Sequence, residues 1–146
     1  MLHLLVDGAG KLLAITTTSA KGNERLEVQR LLAQIAHLPK QSLKGRMTIL
    51  EADKGYDSVW LRQALLAMQI FPLIPYRKIK GRDIPDTQEV CDIFHLTKKR
   101  WMVERAFAWL KRRCRRLLMR WERLPGIWAG FATLGVIYCW LGDLVG

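Results

Sequence analysis

Charge is distributed very unevenly along this chain. Between Lys98 and Arg123 lie 11 of its 24 Lys and Arg residues, against only Glu104 and Glu122. The next stretch, residues 124–142 (LPGIWAGFATLGVIYCWLG), carries no charge at all. Elsewhere the balance is 13 basic to 11 acidic residues. A basic element that must keep a wide face in water or against a polyanion is therefore joined to an uncharged one that must bury a face. At 100° per residue Val103, Phe107, Leu110, Cys114 and Leu117 form one apolar stripe, which predicts a long basic helix over about 96–122. Pro125-Gly126 breaks it, and an apolar helix follows. Nineteen uncharged residues at 1.5 Å each are about long enough to cross a bilayer core, with arginines placed to satisfy the positive-inside rule. Pro125, the glycines at 126, 130, 135 and 142, Thr133 and Tyr138 dilute that stretch, so a core helix is preferred to a membrane span.

A formal net charge of +11 and a pI of about 10.1 point to a polyanionic partner, nucleic acid before anionic membrane. The 146 residues suit one domain, and 50% hydrophobic with 25% charged residues is a folding composition. Cys91, Cys114 and Cys139 are odd in number and widely spaced, which supports neither a disulfide framework nor a zinc site and suggests reduced thiols in a cytosolic protein. The N-terminus has no signal-peptide pattern.

Along the chain, LHLLVDGAGKLLAITTT reads as a β-hairpin turning at Asp7-Gly8-Ala9-Gly10. NERLEVQRLLAQIAHL has helical spacing at Leu26, Leu31, Leu32, Ile35 and Leu38, with Asn23 as N-cap. Pro39 to Lys44 is a loop. RMTILEAD reads as a short buried strand, SVWLRQALLAMQ as a helix capped by Asp57 or Ser58, and IFPLIPY as a strand whose prolines belong at an edge or an end. Residues 76–95 are a polar loop or insertion. The order β-β-α-β-α-β-loop-α-α is an α/β or α+β layout.

The stretch EADKGYDS, residues 51–58, concentrates three acids at the end of a probable strand of a basic chain. Open α/β sheets place their sites at such strand ends, so Asp53 can offer its carboxylate to solvent or a metal. The plainer alternative makes Asp53 and Asp57 turn and cap residues, with Lys54 as an ion-pair partner. On the basic helix, Arg100, Glu104 and Lys111 fall within about 40° of one another. Glu104 is either one member of an ordinary i,i+4 ion pair or a metal ligand among phosphate-holding cations. Trp101 and Trp109 could stack on bases, with helix packing the preferred role.

These segments resemble the catalytic region of bacterial insertion-sequence transposases of the DDE type. ADKGYD is similar to the segment carrying the family's second metal-binding aspartate, here Asp53. VERAFAWLK is similar to the helix carrying its glutamate, here Glu104. The family's helix motif has a tyrosine, an arginine, the glutamate and a lysine, with two, three and six residues between them. Arg100, Glu104 and Lys111 match it, while Thr97 stands where the tyrosine is expected.

The resemblance implies an RNase H-like mixed sheet flanked by helices and a partial catalytic domain over residues 1–146. That domain divides into sheet and helices (1–75), the insertion (76–95), and the basic and apolar helices (96–146). It also implies DNA strand cleavage and joining with Mg²⁺ or Mn²⁺, two ions about 3.5–4 Å apart in a complete enzyme. Asp53 and Glu104 would be the catalytic metal ligands. Arg100, Lys111, Arg112, Arg113, Arg115 and Arg116 would contact DNA at transposon ends. The family's first catalytic aspartate sits on the first strand, and the hairpin here resembles strands two and three. Five strand residues span roughly 17 Å, so Asp7, at the far end of its strand, is a turn residue and no substitute. The chain is thus expected to lack the first strand and to be inactive alone. An upstream reading-frame product, or a homo-oligomer on DNA, would be further partners in a cytoplasmic, nucleoid-associated setting. The alternatives are a non-catalytic DNA-binding remnant and a small basic membrane-anchored protein.

Overall fold

Asp7 closes the first hairpin with its side chain. Its Oδ1 accepts hydrogen bonds from the backbone N–H of Ala9 and of Lys11, both at 2.9 Å. Gly10 completes the reversal at φ +87°, a conformation that costs glycine little. The hairpin strands are β1 (Leu2–Val6) and β2 (Leu12–Thr17), antiparallel, with a register shift between Leu5 and Val6. Asp7 is the turn residue that its place in the sequence suggests.

The computed structural model describes residues 1–19, 22–36, 47–77, 90–92, 99–117 and 124–145. The predicted loop from Pro39 to Lys44, most of the 76–95 segment, Thr97 and residues 118–123 lie outside the described residues. The chain divides into two compact units: Met1–His37 with Trp101–Gly146, and Leu38–Arg100.

In the first unit α1 (Glu24–Gln34) starts at Asn23, whose Oδ1 accepts from Arg25 N at 3.1 Å, as an N-cap should. Its buried face is Glu27, Val28 and Leu31, whereas Leu26 of the predicted stripe is 45% exposed. Glu27 can be buried because Arg30 Nη1 lies 2.7 Å from its Oε1, which offsets part of its desolvation. The Gln34 amide covers β2: it donates to Ile15 O at 2.9 Å and accepts from Ile15 N at 3.2 Å. That pairing occupies backbone groups a further strand would otherwise take.

The basic helix, α3 (Trp101–Arg113), is shorter than the spacing predicts. Lys99 and Arg100 precede it, and after Cys114 the chain tightens into a 3₁₀ turn, Arg115–Leu117. The apolar stripe is real at its centre, where Leu110 is fully buried, and it continues to the buried Leu117. The core joins these residues to Leu12, Ile15, Ala106, Ala132 and Cys139. Burying a leucine of this kind contributes roughly 1.5–3 kcal/mol.

The apolar helix is α4 (Pro125–Val145). It buries Trp128, Ala132 and Cys139 along one face, and Trp140 donates from Nε1 to Leu12 O at 2.6 Å. Ile127, Leu134, Ile137, Tyr138 and Leu141 remain about half exposed. It is a packing helix by burial pattern although its sequence is apolar all round. Among the described residues no helix is long and apolar enough to cross a membrane.

In the second unit β3 (Thr48–Glu51) pairs in parallel with β4 (Ile70–Leu73), and α2 (Val59–Ala67) makes the connection. Pro72, opposite Leu50, is tolerated because among the described residues the pair presents an edge on each side. Leu61 and Leu65 of α2 are fully buried, with Leu73 and Ile74. α2 ends on Gln69, held at φ 60°, the left-handed position where glycine is usual. The described strands thus form a mixed α/β structure with two small sheets, β1-β2 and β3-β4, flanked by helices.

Candidate metal and DNA site

The three acids after β3 have separate tasks. Glu51, the last strand residue, accepts a hydrogen bond from Lys99 N through Oε2 at 2.7 Å. Asp57 is a structural anchor. Its Oδ1 lies 3.0 Å from Arg62 Nε and 2.9 Å from Nη2, and its Oδ2 accepts from Arg77 N at 2.8 Å. Arg62 continues outward, donating to Ile74 O at 2.6 Å with its guanidinium 3.7 Å from the Tyr76 ring centroid. Arg77 also donates from its side chain to the carbonyls of Lys54 and Gly55, both at 3.2 Å. This hub ties the turn after β3 to the chain leaving β4.

Asp57 therefore does not cap α2. Ser58 occupies the N-cap position, without a side-chain cap bond. Lys54 contributes its carbonyl, and among the described residues makes no ion pair with Asp53 or Asp57. The sequence does not reveal the Asp57–Arg62–Arg77 hub, because Arg77 is twenty residues from Asp57 and nothing in its spacing marks the contact.

Asp53 differs from its neighbours. It is exposed, and Oδ1 accepts from Gly55 N at 2.6 Å, fixing the carboxylate at the start of the 3₁₀ turn Lys54–Tyr56. Among the described residues Oδ2 has no hydrogen-bond partner. A carboxylate held by one oxygen with the other directed elsewhere is suited to a hard cation.

Glu104 stands exposed in the first turn of α3, where the helix N-terminus favours a negative group. Asp53 belongs to the second unit and Glu104 to the first. Each offers carboxylate oxygens, the donor type that Mg²⁺ and Mn²⁺ prefer. Among the described residues no group of three or more His, Cys, Asp or Glu gathers in a way that could hold a metal.

Of the expected DNA contacts, Arg100 precedes α3 and is not on its face. Lys111, Arg112 and Arg113 form its exposed last turn, with Lys111 Nζ 5.9 Å from the Phe107 ring centroid. Arg115 is exposed in the following 3₁₀ turn, which also contains the Arg116 backbone. Trp101 and Trp109 are 52% and 45% exposed, so helix packing does not account for them. Burial pushes the Cys114 thiol up, against the opposing pull of Arg113. Cys91, Cys114 and Cys139 are all free thiols.

The family model for the transposase DDE domain matches residues 1–140, so this chain belongs to that family. A Burkholderia cepacia protein named as a transposase for insertion sequence element IS402 is 34% identical over 143 residues. The match takes in 94% of this chain and 61% of that relative, so the chain spans less than two thirds of its length. No solved structure matches at a significant level.

Proposed function

We propose that the chain is the C-terminal part of the catalytic domain of an insertion-sequence transposase, acting on DNA at transposon ends by metal-dependent cleavage and joining of strands. The observation that carries this is the division of labour after β3. Two of the three acids are committed to the fold, and Asp53 keeps an oxygen for a ligand. Asp53 and Glu104 are the divalent-metal ligands in this reading. Mg²⁺ or Mn²⁺ held there would supply Lewis-acid stabilisation of the developing phosphoryl charge.

The protein's own contribution is to fix the two carboxylates. Asp53 is pinned by Gly55 N–H, and Glu104 is carried on a packed helix. Lys111, Arg112, Arg113, Arg115 and Arg116 neutralise phosphates and set register without reading sequence. Arg100, at the entry to α3, orients Glu104 or a phosphate.

The family's RNase H-like sheet is the fold we assign. An antiparallel pair followed by a parallel pair joined through a helix is the order it requires. Two carboxylates by themselves would hold one cation weakly, and fixing two takes further ligands.

In the assembled enzyme, Glu104→Gln and Asp53→Asn should each retain DNA binding and lose strand cleavage. Cleavage at the wild-type rate by either variant removes that residue from the ligand set. Binding should fall with salt at a log–log slope of about −4.5 if five phosphates are contacted. A flat salt dependence contradicts the phosphate contacts.

A further inference from the structure

Trp101, Arg105, Trp109 and Arg113 recur at every fourth position of α3. Each step advances about 6 Å along the helix axis and winds about 40° around it. The result is a ladder of alternating indoles and guanidiniums. The Arg105 guanidinium lies 5.9 Å from the Trp101 ring centroid, and that of Arg113 lies 4.8 Å from Trp109. Both indoles are about half exposed, which is costly in water for residues of this size and unusual at two successive rungs. Among the described residues neither Arg105 nor Arg113 forms an ion pair with a carboxylate.

The ladder borders a cleft of about 190 Å³ whose lining includes Lys11, Arg105, Trp109 and Trp140. Lys11 Nζ sits 3.9 Å from the Trp140 ring centroid, bringing a second cation to this wall. The volume is below the roughly 300–1,000 Å³ of ordinary ligand pockets, so the cleft suits a single ring rather than a whole folded ligand.

Cations and open aromatic faces in alternation complement a strand with exposed bases. Phosphates take the guanidiniums while the π-faces of the bases take the indoles. In a duplex those π-faces are hidden by stacking, so only unpaired nucleotides can use both halves of the ladder. We infer that the Trp101–Arg105–Trp109–Arg113 face of α3 binds unpaired nucleotides of DNA. Bases stack on Trp101 and Trp109, and phosphates are held by Arg105, Arg113 and Lys11. The inference rests on the DNA reading above and adds the state of the strand that is recognised.

The test compares fluorescein-labelled 12-nucleotide single strands with the duplex of the same sequence, by anisotropy, on the wild-type chain and on Trp101→Ala, Trp109→Ala and Trp109→Phe. Each alanine variant should weaken single-strand binding about tenfold, a typical effect of losing one stacked base. Duplex binding should change less than about threefold, and Trp109→Phe should keep most of the affinity. Equal losses on strand and duplex, or no loss on the strand, overturn the inference while leaving the DNA reading standing. Wild-type protein that binds neither nucleic acid overturns both. Ultraviolet cross-linking of wild-type protein to a strand containing 5-iododeoxyuridine needs no altered fold. Adducts at Trp101 or Trp109 support the assignment, and adducts confined to other residues refute it.

Discussion

The same change, acid to amide, should have opposite consequences at two positions four residues apart. Asp57 and Arg62 side chains are only 15% and 13% exposed, and the carboxylate takes two hydrogen bonds, from Arg62 Nε and from Arg77 N, with Arg62 Nη2 in ion-pair contact at 2.9 Å. In Asp57→Asn one carboxylate oxygen becomes an NH₂ group that must face a donor, either the guanidinium or the Arg77 amide. Removing one partner of a buried pair costs about 3–5 kcal/mol. Arg62 keeps Ile74 O and the Tyr76 ring, which lowers the expected cost to about 2–3 kcal/mol. Asp53→Asn keeps an oxygen to accept from Gly55 N, and Asn caps as well as Asp, so less than about 0.5 kcal/mol is expected.

Hydrogen exchange of the β3–α2–β4 amides across a urea series measures both. With a slope of about 2 kcal/mol/M, Asp57→Asn should lower the midpoint by about 1 M or more, and Asp53→Asn by about 0.3 M at most. Equal shifts, or a larger one for Asp53, would refute the division of labour among the acids.

Three further outcomes are expected. Burial holds the His3 imidazole below its ordinary value of about 6.5, with Glu27 and Glu24 pulling the other way, so the folded state favours the neutral ring. That contribution is complete above about pH 6.5 and is lost as pH falls through the lowered folded value; thermal melts should show the loss in wild type and a flatter profile in His3→Gln. A Cβ on Gly135 would meet Leu110 Cδ1 at 3.0 Å, Cys114 Sγ at 3.1 Å and Leu117 Cδ1 at 3.3 Å. In calorimetry Gly135→Ala should change stability by less than about 1 kcal/mol, helix propensity offsetting crowding, while Gly135→Leu should cost at least about 2 kcal/mol. Gln69→Gly should stabilise by up to about 1 kcal/mol in urea denaturation, since glycine adopts the φ 60° of that helix end without a Cβ clash.

Elements specified locally were legible in the sequence. The hairpin turn follows from Asp7 and Gly10, the α1 start from Asn23, and the packed face of α3 from the period of Leu110 and its neighbours. Contacts set by distant chain segments were not. Asp57 looks like a helix cap, and the approach of Arg62 and Arg77 turns it into an anchor. Glu27 looks like a surface residue of the first helical turn, yet the other elements of its unit cover it. The basic run reads as one helix to residue 122, whereas α3 stops at Arg113, since propensity does not locate a helix end that packing decides. Trp101 and Trp109 read as packing residues because tryptophans usually are. Their exposure depends on which face Leu110 and Ala106 turn inward.

The central claim is that Asp53 and Glu104 serve one divalent ion. Fe²⁺ substituted for Mg²⁺, with ascorbate and peroxide, releases hydroxyl radicals that cut backbone near the bound ion, and mass spectrometry maps the cuts. The expected result is cleavage beside both residue 53 and residue 104, suppressed by excess Mg²⁺ and abolished at both places by either Asp53→Asn or Glu104→Gln. Cuts at one place alone, or cuts that survive either substitution, would contradict it.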